Sequence, residues 1–169
     1  TLFVDGVTTG ITTTADETTG IFSISPLIAL ENGLNSFSVT ATDAAGNNSM
    51  LSEAIAVTVN AVVPTISIAS DIDELNAGET ATITFTLSEA STDFAEGDIT
   101  FSGGSLDNFT AVSSTVYTAV FTPTTNSTVN GEISVTSDKF TDAAGNDNTS
   151  GSLTPVSYTH LTLPTSYPG

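Results

Sequence analysis

Apolar and polar residues alternate along much of the chain, which is the pattern of half-buried β-strands. The clearest run is TATITFTLS at residues 80–88, where apolar side chains share one face and threonines fill the other. Threonine suits the outward face because its branched side chain fits the pleat and its hydroxyl tolerates water. The inward positions predicted in this way are Ala81, Ile83, Phe85 and Leu87; Phe37, Val39 and Ala41; Ile55, Val57 and Val59; Tyr117, Ala119 and Phe121; and Ile133 and Val135.

Short dipeptides that favour turns separate these segments, and no long stretch shows the period of a helix. They are Asp5-Gly6, Asn32-Gly33, Ala77-Gly78, Gly103-Gly104 and Asn130-Gly131. Many short strands joined by such turns predict an all-β chain folded into antiparallel β-sandwiches.

An internal repeat predicts two domains in tandem. SVTATDAAGNNS at residues 38–49 returns as SVTSDKFTDAAGNDN at residues 134–148. The shared pentapeptide DAAGN begins at Asp43 and again at Asp142, a spacing of 99 residues. One sandwich of this type takes about 100 residues, so the repeat indicates one loop present in two successive domains.

The predicted border lies near Pro64, which cannot donate a ladder hydrogen bond and therefore suits a break between sheets. A strand at residues 54–60 ends the first domain and a strand at residues 65–69 begins the second. We predict an incomplete sandwich at residues 1–62 and a nearly complete one at residues 63–155. The first domain should lack its opening strands and expose a hydrophobic edge.

The last segment, residues 156–169, departs from this pattern. It holds the only histidine, two of the three tyrosines and two of the six prolines. VSYTHLTLPT at residues 156–165 resembles an in-frame translation of a sequencing adaptor, as found in assembled metagenomic reads. We therefore expect a non-native tail, which is left out of the fold prediction, and His160 carries no functional weight.

The charge balance narrows the classes of partner. The chain carries 19 Asp plus Glu residues against one Lys plus Arg, for a formal net charge of −18 at pH 7. Such a surface repels nucleic acid phosphates and anionic lipid headgroups. It attracts hard cations, and it also keeps a protein hydrated. Because of this charge, we expect no nucleic acid binding. We also expect no membrane insertion, because no apolar run is long enough to cross a bilayer.

Five segments carry a family resemblance: AGETATITFTLSEAS (77–91), DITFSGGSLDNFT (98–110), YTAVFTPT (117–124), FTDAAGN (140–146) and FSVTATDAAGN (37–47). They resemble the bacterial Ig-like (Big) repeats of large calcium-dependent surface adhesins, including RTX-type adhesins. The resemblance implies tandem immunoglobulin-like sandwiches at the cell surface or outside the cell. It also implies calcium at loops and junctions, and neighbouring repeats of the same chain as partners.

The DAAGN loop allows two physical interpretations, which are compatible. In the first, the Asp accepts hydrogen bonds from the N–H groups of its own turn, while Gly and Asn adopt positive φ. In the second, carboxylate and amide oxygens bind calcium. In an immunoglobulin topology this loop joins strands F and G, at the same end as the B–C loop. The predicted calcium ligands are Asp43, Asn47, Glu89, Asp98, Asp142 and Asn146.

Four N-x-S/T sequons occur, at Asn47, Asn108, Asn126 and Asn148. In a chain this rich in Thr, Ser and Asn, such motifs arise easily by chance.

The sequence offers no catalytic constellation, so we predict that the chain is not an enzyme. It has no Cys or Trp, and only one Lys plus Arg. A serine triad would need His160 of the tail. A glycosidase would need a cleft lined with aromatic side chains, whereas Phe37, Phe85 and Phe121 are expected in the core.

The leading hypothesis is a stalk or spacer repeat of a secreted or cell-surface bacterial adhesin, stiffened by calcium between domains. Two alternatives stay open: a module that binds carbohydrate or protein through its loops, and an accessory domain of an extracellular enzyme.

Overall fold

All regular structure in the described part of the chain is β, apart from one 3₁₀ turn at Glu96–Asp98. The computed structural model describes residues 1–26, 28–76, 78–125, 127 and 129–158. The chain divides into two units, Thr1–Ala61 and Val62–Gly169. The predicted all-β fold class is confirmed.

The first unit contains one antiparallel sheet in its described residues. Its strands are β1 (Leu2–Val4), β2 (Val7–Thr8), β3 (Gly33–Val39) and β4 (Ile55–Val59). They lie in the order β2-β1-β3-β4. In the register, Val39 lies opposite Leu2, and Phe37 lies between Val4 and Ile55. Because opposed side chains in neighbouring strands share a face, these residues form one apolar side of the sheet.

This apolar side is only partly covered. Leu2 is buried, but Ile55 is 71% exposed and Val57 is 44% exposed. The sequence predicts an exposed hydrophobic edge, and Ile55 and Val57 lie on β4, an edge strand of the sheet. Their shared face is uncovered as well, because the side chains that alternation directs inward meet no second sheet among the described residues of this unit.

The second unit contains two four-stranded sheets. Its strands are β5 (Ile66–Ser70), β6 (Glu74–Leu75), β7 (Ala81–Leu87), β8 (Ile99–Ser102), β9 (Gly104–Ala111), β10 (Val116–Pro123), β11 (Gly131–Val135) and β12 (Gly151–Tyr158). One sheet has the order β5-β7-β10-β9 and the other the order β6-β12-β11-β8. All neighbouring pairs are antiparallel except β6 and β12, which are parallel.

This strand order is that of an immunoglobulin-like sandwich. The first sheet corresponds to strands A, B, E and D, and the second to G, F and C with β6 added beside G. The predicted faces are correct in β7, β10 and β11: Ile83 is fully buried and Phe121 is 1% exposed, as is Ile133.

Aromatic rings fill one end of the core between the two sheets. Phe94 lies at the centre, with ring centroids 5.0 Å from Tyr117, 5.2 Å from Phe140 and 5.9 Å from Phe85. Phe109 stacks on Tyr117 at 5.6 Å. The Tyr117 hydroxyl donates a hydrogen bond to the Ser91 carbonyl oxygen at 3.2 Å, which satisfies its polar atom inside the core.

The last strand continues past the predicted end of the second domain. In β12, Val156 lies opposite Gly131, and Ser157 and Tyr158 lie opposite Glu74 and Leu75. His160 and the rest of the predicted tail from residue 159 onward lie outside the described residues.

Candidate functional site

The two DAAGN loops occupy equivalent places in the two units. The first lies between β3 and β4, and the second lies between β11 and β12. Each is closed by a bridge of flanking residues, Thr42 with Asn48 in one unit and Thr141 with Asp147 in the other. The predicted position between strands F and G is therefore correct for the second unit, and the first unit repeats it.

The same hydrogen bonds hold both loops. In the first, Asp43 Oδ1 accepts from the N–H of Ala45 at 2.9 Å and of Asn47 at 2.8 Å. Its Oδ2 accepts from Nδ2 of Asn47 at 2.8 Å. Asp142 repeats this pattern with the N–H of Ala144 at 2.9 Å and of Asn146 at 2.8 Å, and with Nδ2 of Asn146 at 2.8 Å.

These donors stabilise the ionised form of each aspartate. The side chain of Asn47, and then its N–H, lower the pKa of Asp43 below its ordinary value. Asn146 lowers the pKa of Asp142 in the same way, and the Glu89 side chain contributes to this shift. Burial of the carboxylate opposes the shift in both loops. Each aspartate is therefore a charged acceptor that closes its own turn, as the first interpretation expected. The positive φ expected of Gly and Asn is found at Gly46 and Gly145 but not at Asn47 or Asn146.

In the second unit, the loop between β7 and β8 reaches this turn. Asp93 accepts hydrogen bonds from the Thr141 N–H at 3.0 Å and the Thr141 hydroxyl at 2.9 Å. It also accepts from the Ser91 hydroxyl at 2.6 Å, which is the main cause of the lowered pKa of Asp93. Ser91 forms a bridge with Asp142, so the B–C and F–G loops are joined at one end of the sandwich.

The predicted calcium ligands are brought together only in part. Glu89 lies within hydrogen-bonding reach of Asp142, which is 6% exposed. Asp98 instead accepts a hydrogen bond from the Ala95 N–H at 2.8 Å and closes the 3₁₀ turn. Asp43 and Asn47 bind each other on an exposed loop of the first unit.

Calcium binds six to eight oxygens, so the predicted ligands fit the ion only if they direct several oxygen atoms to one point. Asn146 directs its amino group, not its amide oxygen, to Asp142, and Asn47 does the same with Asp43. Within the described ranges, no group of three or more Asp, Glu, His or Cys residues could hold a metal ion. The Asp–Asn pairs therefore do not fit a chelate as they stand, while Glu89 and Asp142 form an acidic pair.

The second loop is also held by Asn148, which was not among the site residues predicted from the sequence. Asn148 is 2% exposed. Its Oδ1 accepts from the N–H groups of Lys139 at 2.7 Å and Phe140 at 2.9 Å. Its Nδ2 donates to the carbonyl oxygens of Thr136 at 2.9 Å and Thr149 at 2.8 Å.

The first unit has a smaller counterpart of this residue. The Ser49 hydroxyl accepts a hydrogen bond from the Ala41 N–H at 3.0 Å, as Asn148 does from Phe140. Both residues lie six positions after the Asp that begins DAAGN, a correspondence that alignment of the two repeats could have revealed.

The strand order and the joined end loops define an immunoglobulin-like module whose polar residues close turns. A family model described as a bacterial Ig-like domain matches residues 60–159, and the chain belongs to this family. Domains of the family are generally non-catalytic structural modules, typically at the cell surface or outside the cell. A search of curated proteins found no match to the chain.

No helix in the portion of the chain covered by the structure has the length and hydrophobicity needed to span a membrane.

Proposed function

We propose that the chain is a pair of structural spacer repeats from a large bacterial surface adhesin of the calcium-dependent, RTX-containing class. The observation that carries the proposal is the recurrence of one hydrogen-bonded loop at the same strand junction in two units of one chain. A module that closes its own turns can be repeated in a stalk, because each unit of such an array contacts only its neighbours. The net charge of −18 supports an extracellular role, because it keeps an array of repeats hydrated and prevents the repeats from associating with one another.

The parent gene tests the spacer role directly. Many similar repeats in succession are expected from a stalk, whereas one or two repeats beside a catalytic domain would identify an accessory module of an enzyme. A glycan and protein array probed with the full chain addresses the binding-module alternative. Saturable binding that loop substitutions abolish would overturn the spacer role.

We propose in addition that calcium binds at the Glu89–Asp142 pair. Two carboxylates this close repel each other when both are ionised, and a cation bound between them would relieve that repulsion. A calcium ion would take these two groups as ligands and complete its shell with water.

The calcium proposal has its own test. Addition of Ca²⁺ to the full chain should raise the melting temperature of the second unit, read by tyrosine fluorescence, and Mg²⁺ should raise it less. Glu89→Gln should abolish the increase, while Glu132→Gln, at an exposed position on β11, should retain it. An unchanged melting temperature in Ca²⁺ would end this proposal and leave the spacer role standing.

We propose further that the chain from residue 156 is translated adaptor sequence, as its resemblance suggests. Two observations favour a native last strand instead. The family match continues to residue 159, and β12 is paired up to Tyr158. The genomic sequence after Pro155 decides between them, because a native continuation with the same residues would refute the adaptor origin.

A further inference from the structure

Two Asn-Gly dipeptides occupy equivalent places in the two units. Asn32-Gly33 leads into β3, and Asn130-Gly131 leads into β11. Glycine has no side chain to shield its backbone nitrogen, so this nitrogen can approach and attack the side-chain amide of a preceding asparagine. The two sites have the same covalent chemistry, and only their surroundings differ.

The surroundings of the first site are open. Asn32 is exposed, and a Cβ atom built on Gly33 would meet nothing within 4 Å. Gly33 has a φ of +107°, a conformation almost limited to glycine. The Asn32 Oδ1 atom accepts a hydrogen bond from the Ala61 N–H at 2.9 Å, which withdraws electron density from the amide carbon.

The surroundings of the second site are packed. Asn130 is exposed, as Asn32 is, but Gly131 is buried, and a Cβ atom built on it would lie 2.5 Å from the Phe121 ring. The Asn130 carbonyl oxygen lies against Gly103, where an added Cβ would clash with it. Backbone and ring atoms therefore pack closely around the Asn130–Gly131 peptide, and this packing opposes the rotation that ring closure needs.

We propose that Asn32 is a site of spontaneous deamidation in the folded protein and that Asn130 is protected by its packing. The Gly33 nitrogen forms a bond to Asn32 Cγ, the Cγ–Nδ2 bond breaks, and the Gly33 proton leaves with the ammonia. Water then opens the succinimide ring at either carbonyl. Opening at Cγ gives aspartate, and opening at the main-chain carbonyl gives isoaspartate. The net change is one water consumed and one ammonia released.

The isoaspartate product would alter the first unit. Its main chain runs through Cβ and Cγ, so one methylene is added immediately before β3. This addition displaces the start of β3, whose Gly33 lies opposite Val59 of β4. The Ala61 hydrogen bond, which ties the end of the first unit to residue 32, is lost with the repositioned side chain.

Peptide mapping by mass spectrometry tests the proposal. The full chain is incubated at mildly alkaline pH, and the deamidated fractions of Asn32 and Asn130 are followed over time. We expect Asn32 to react several-fold faster than Asn130 in the folded chain, and the two to react at similar rates in urea. Asn32→Gln should remove the isoaspartate signal from this peptide, because glutamine cyclises far more slowly.

Hydrogen exchange on the same sample shows whether β3 and β4 stay protected while Asn32 reacts. Equal rates at the two sites in the folded chain would overturn the proposal. Reaction of Asn32 only in molecules that have lost protection in β3 would overturn it as well.

Discussion

Strands β1, β3 and β4 of the first unit are arranged like strands β8, β11 and β12 of the second, but the two sets differ in what covers their apolar face. Val39 lies opposite Leu2 in one, as Val135 lies opposite Ile99 in the other, and the same loop follows each. Val135 is fully buried beneath β5-β7-β10-β9, whereas Val39 is half-buried and Ile55 is exposed. Alternation therefore determines which side chains share a face, and a second sheet determines whether that face is buried.

This difference matters because apolar side chains stabilise a fold only to the extent that they leave water. Phe22 and Ile24 lie beside the apolar face of the first unit and line a groove with Leu2, Phe37 and Ile55. They do not cover Ile55, so the two units should respond differently to identical substitutions.

The largest difference in stability is expected when an isoleucine is replaced by alanine in each of the two environments. Ile83→Ala should destabilise the second unit by about 2–5 kcal/mol, because a fully buried side chain leaves a cavity. Ile55→Ala should change the first unit by less than about 0.5 kcal/mol. Urea unfolding followed by tyrosine fluorescence measures the second unit, since all three tyrosines follow Val62. Hydrogen exchange of β3 and β4 measures the first, and equal losses would contradict the comparison.

A smaller effect is expected at the residues that fasten the two loops. Asn148→Ala should cost about 1–3 kcal/mol, because it leaves the buried Phe140 N–H without its partner. Ser49→Ala should cost less than about 0.5 kcal/mol, because water can replace the hydroxyl on an exposed loop. The same two measurements apply. A loss at Ser49 as large as that at Asn148 would show that exposure does not decide the difference.

The smallest effect on stability is expected when the two loop aspartates lose their charge, in acid or by substitution. The lowered pKa of Asp43 and of Asp142 means that each loop's stabilisation is complete above the ordinary aspartate pKa of about 3.9. It is lost as the pH falls through the lower pKa of the folded state. Asp142→Asn should therefore lower the melting temperature near neutral pH and weaken its decline in acid, in the second unit only.

Asp43→Asn should do the same for the first unit. Asp73→Asn, at an exposed position between β5 and β6, serves as the control. Thermal unfolding and hydrogen exchange across the acid range give the result. An acid decline that is identical in Asp142→Asn and the unsubstituted chain would remove this role of the aspartate.

The strands and the repeated loop were predictable from sequence because both depend on local periodicity. Alternation placed Ile83, Phe121 and Ile133 correctly, and the DAAGN repeat located the junction of the last two strands. The exposure of Ile55 was not predictable in detail, because it depends on what lies across the sheet.

The candidate site was predictable only in part, because its partners come from distant segments. Asp98 and Asp93 both lie between β7 and β8, but only the fold shows that Asp93 reaches Thr141. Asn148 was missed for the same reason, since its partners include the carbonyl oxygen of Thr136, twelve residues away. Turn chemistry could be anticipated from residue types, and convergence of loops could not.

Asn148 also begins one of the four sequons, and its burial has a practical consequence. A sugar attached to Nδ2 would need space where the sandwich is closed, and it would remove a donor that Thr136 and Thr149 use. Oligosaccharide transfer in a eukaryotic secretory pathway takes place on the nascent polypeptide, before this amide is enclosed. Secretion from such a host should therefore yield misfolded second units, and cytoplasmic bacterial expression should not.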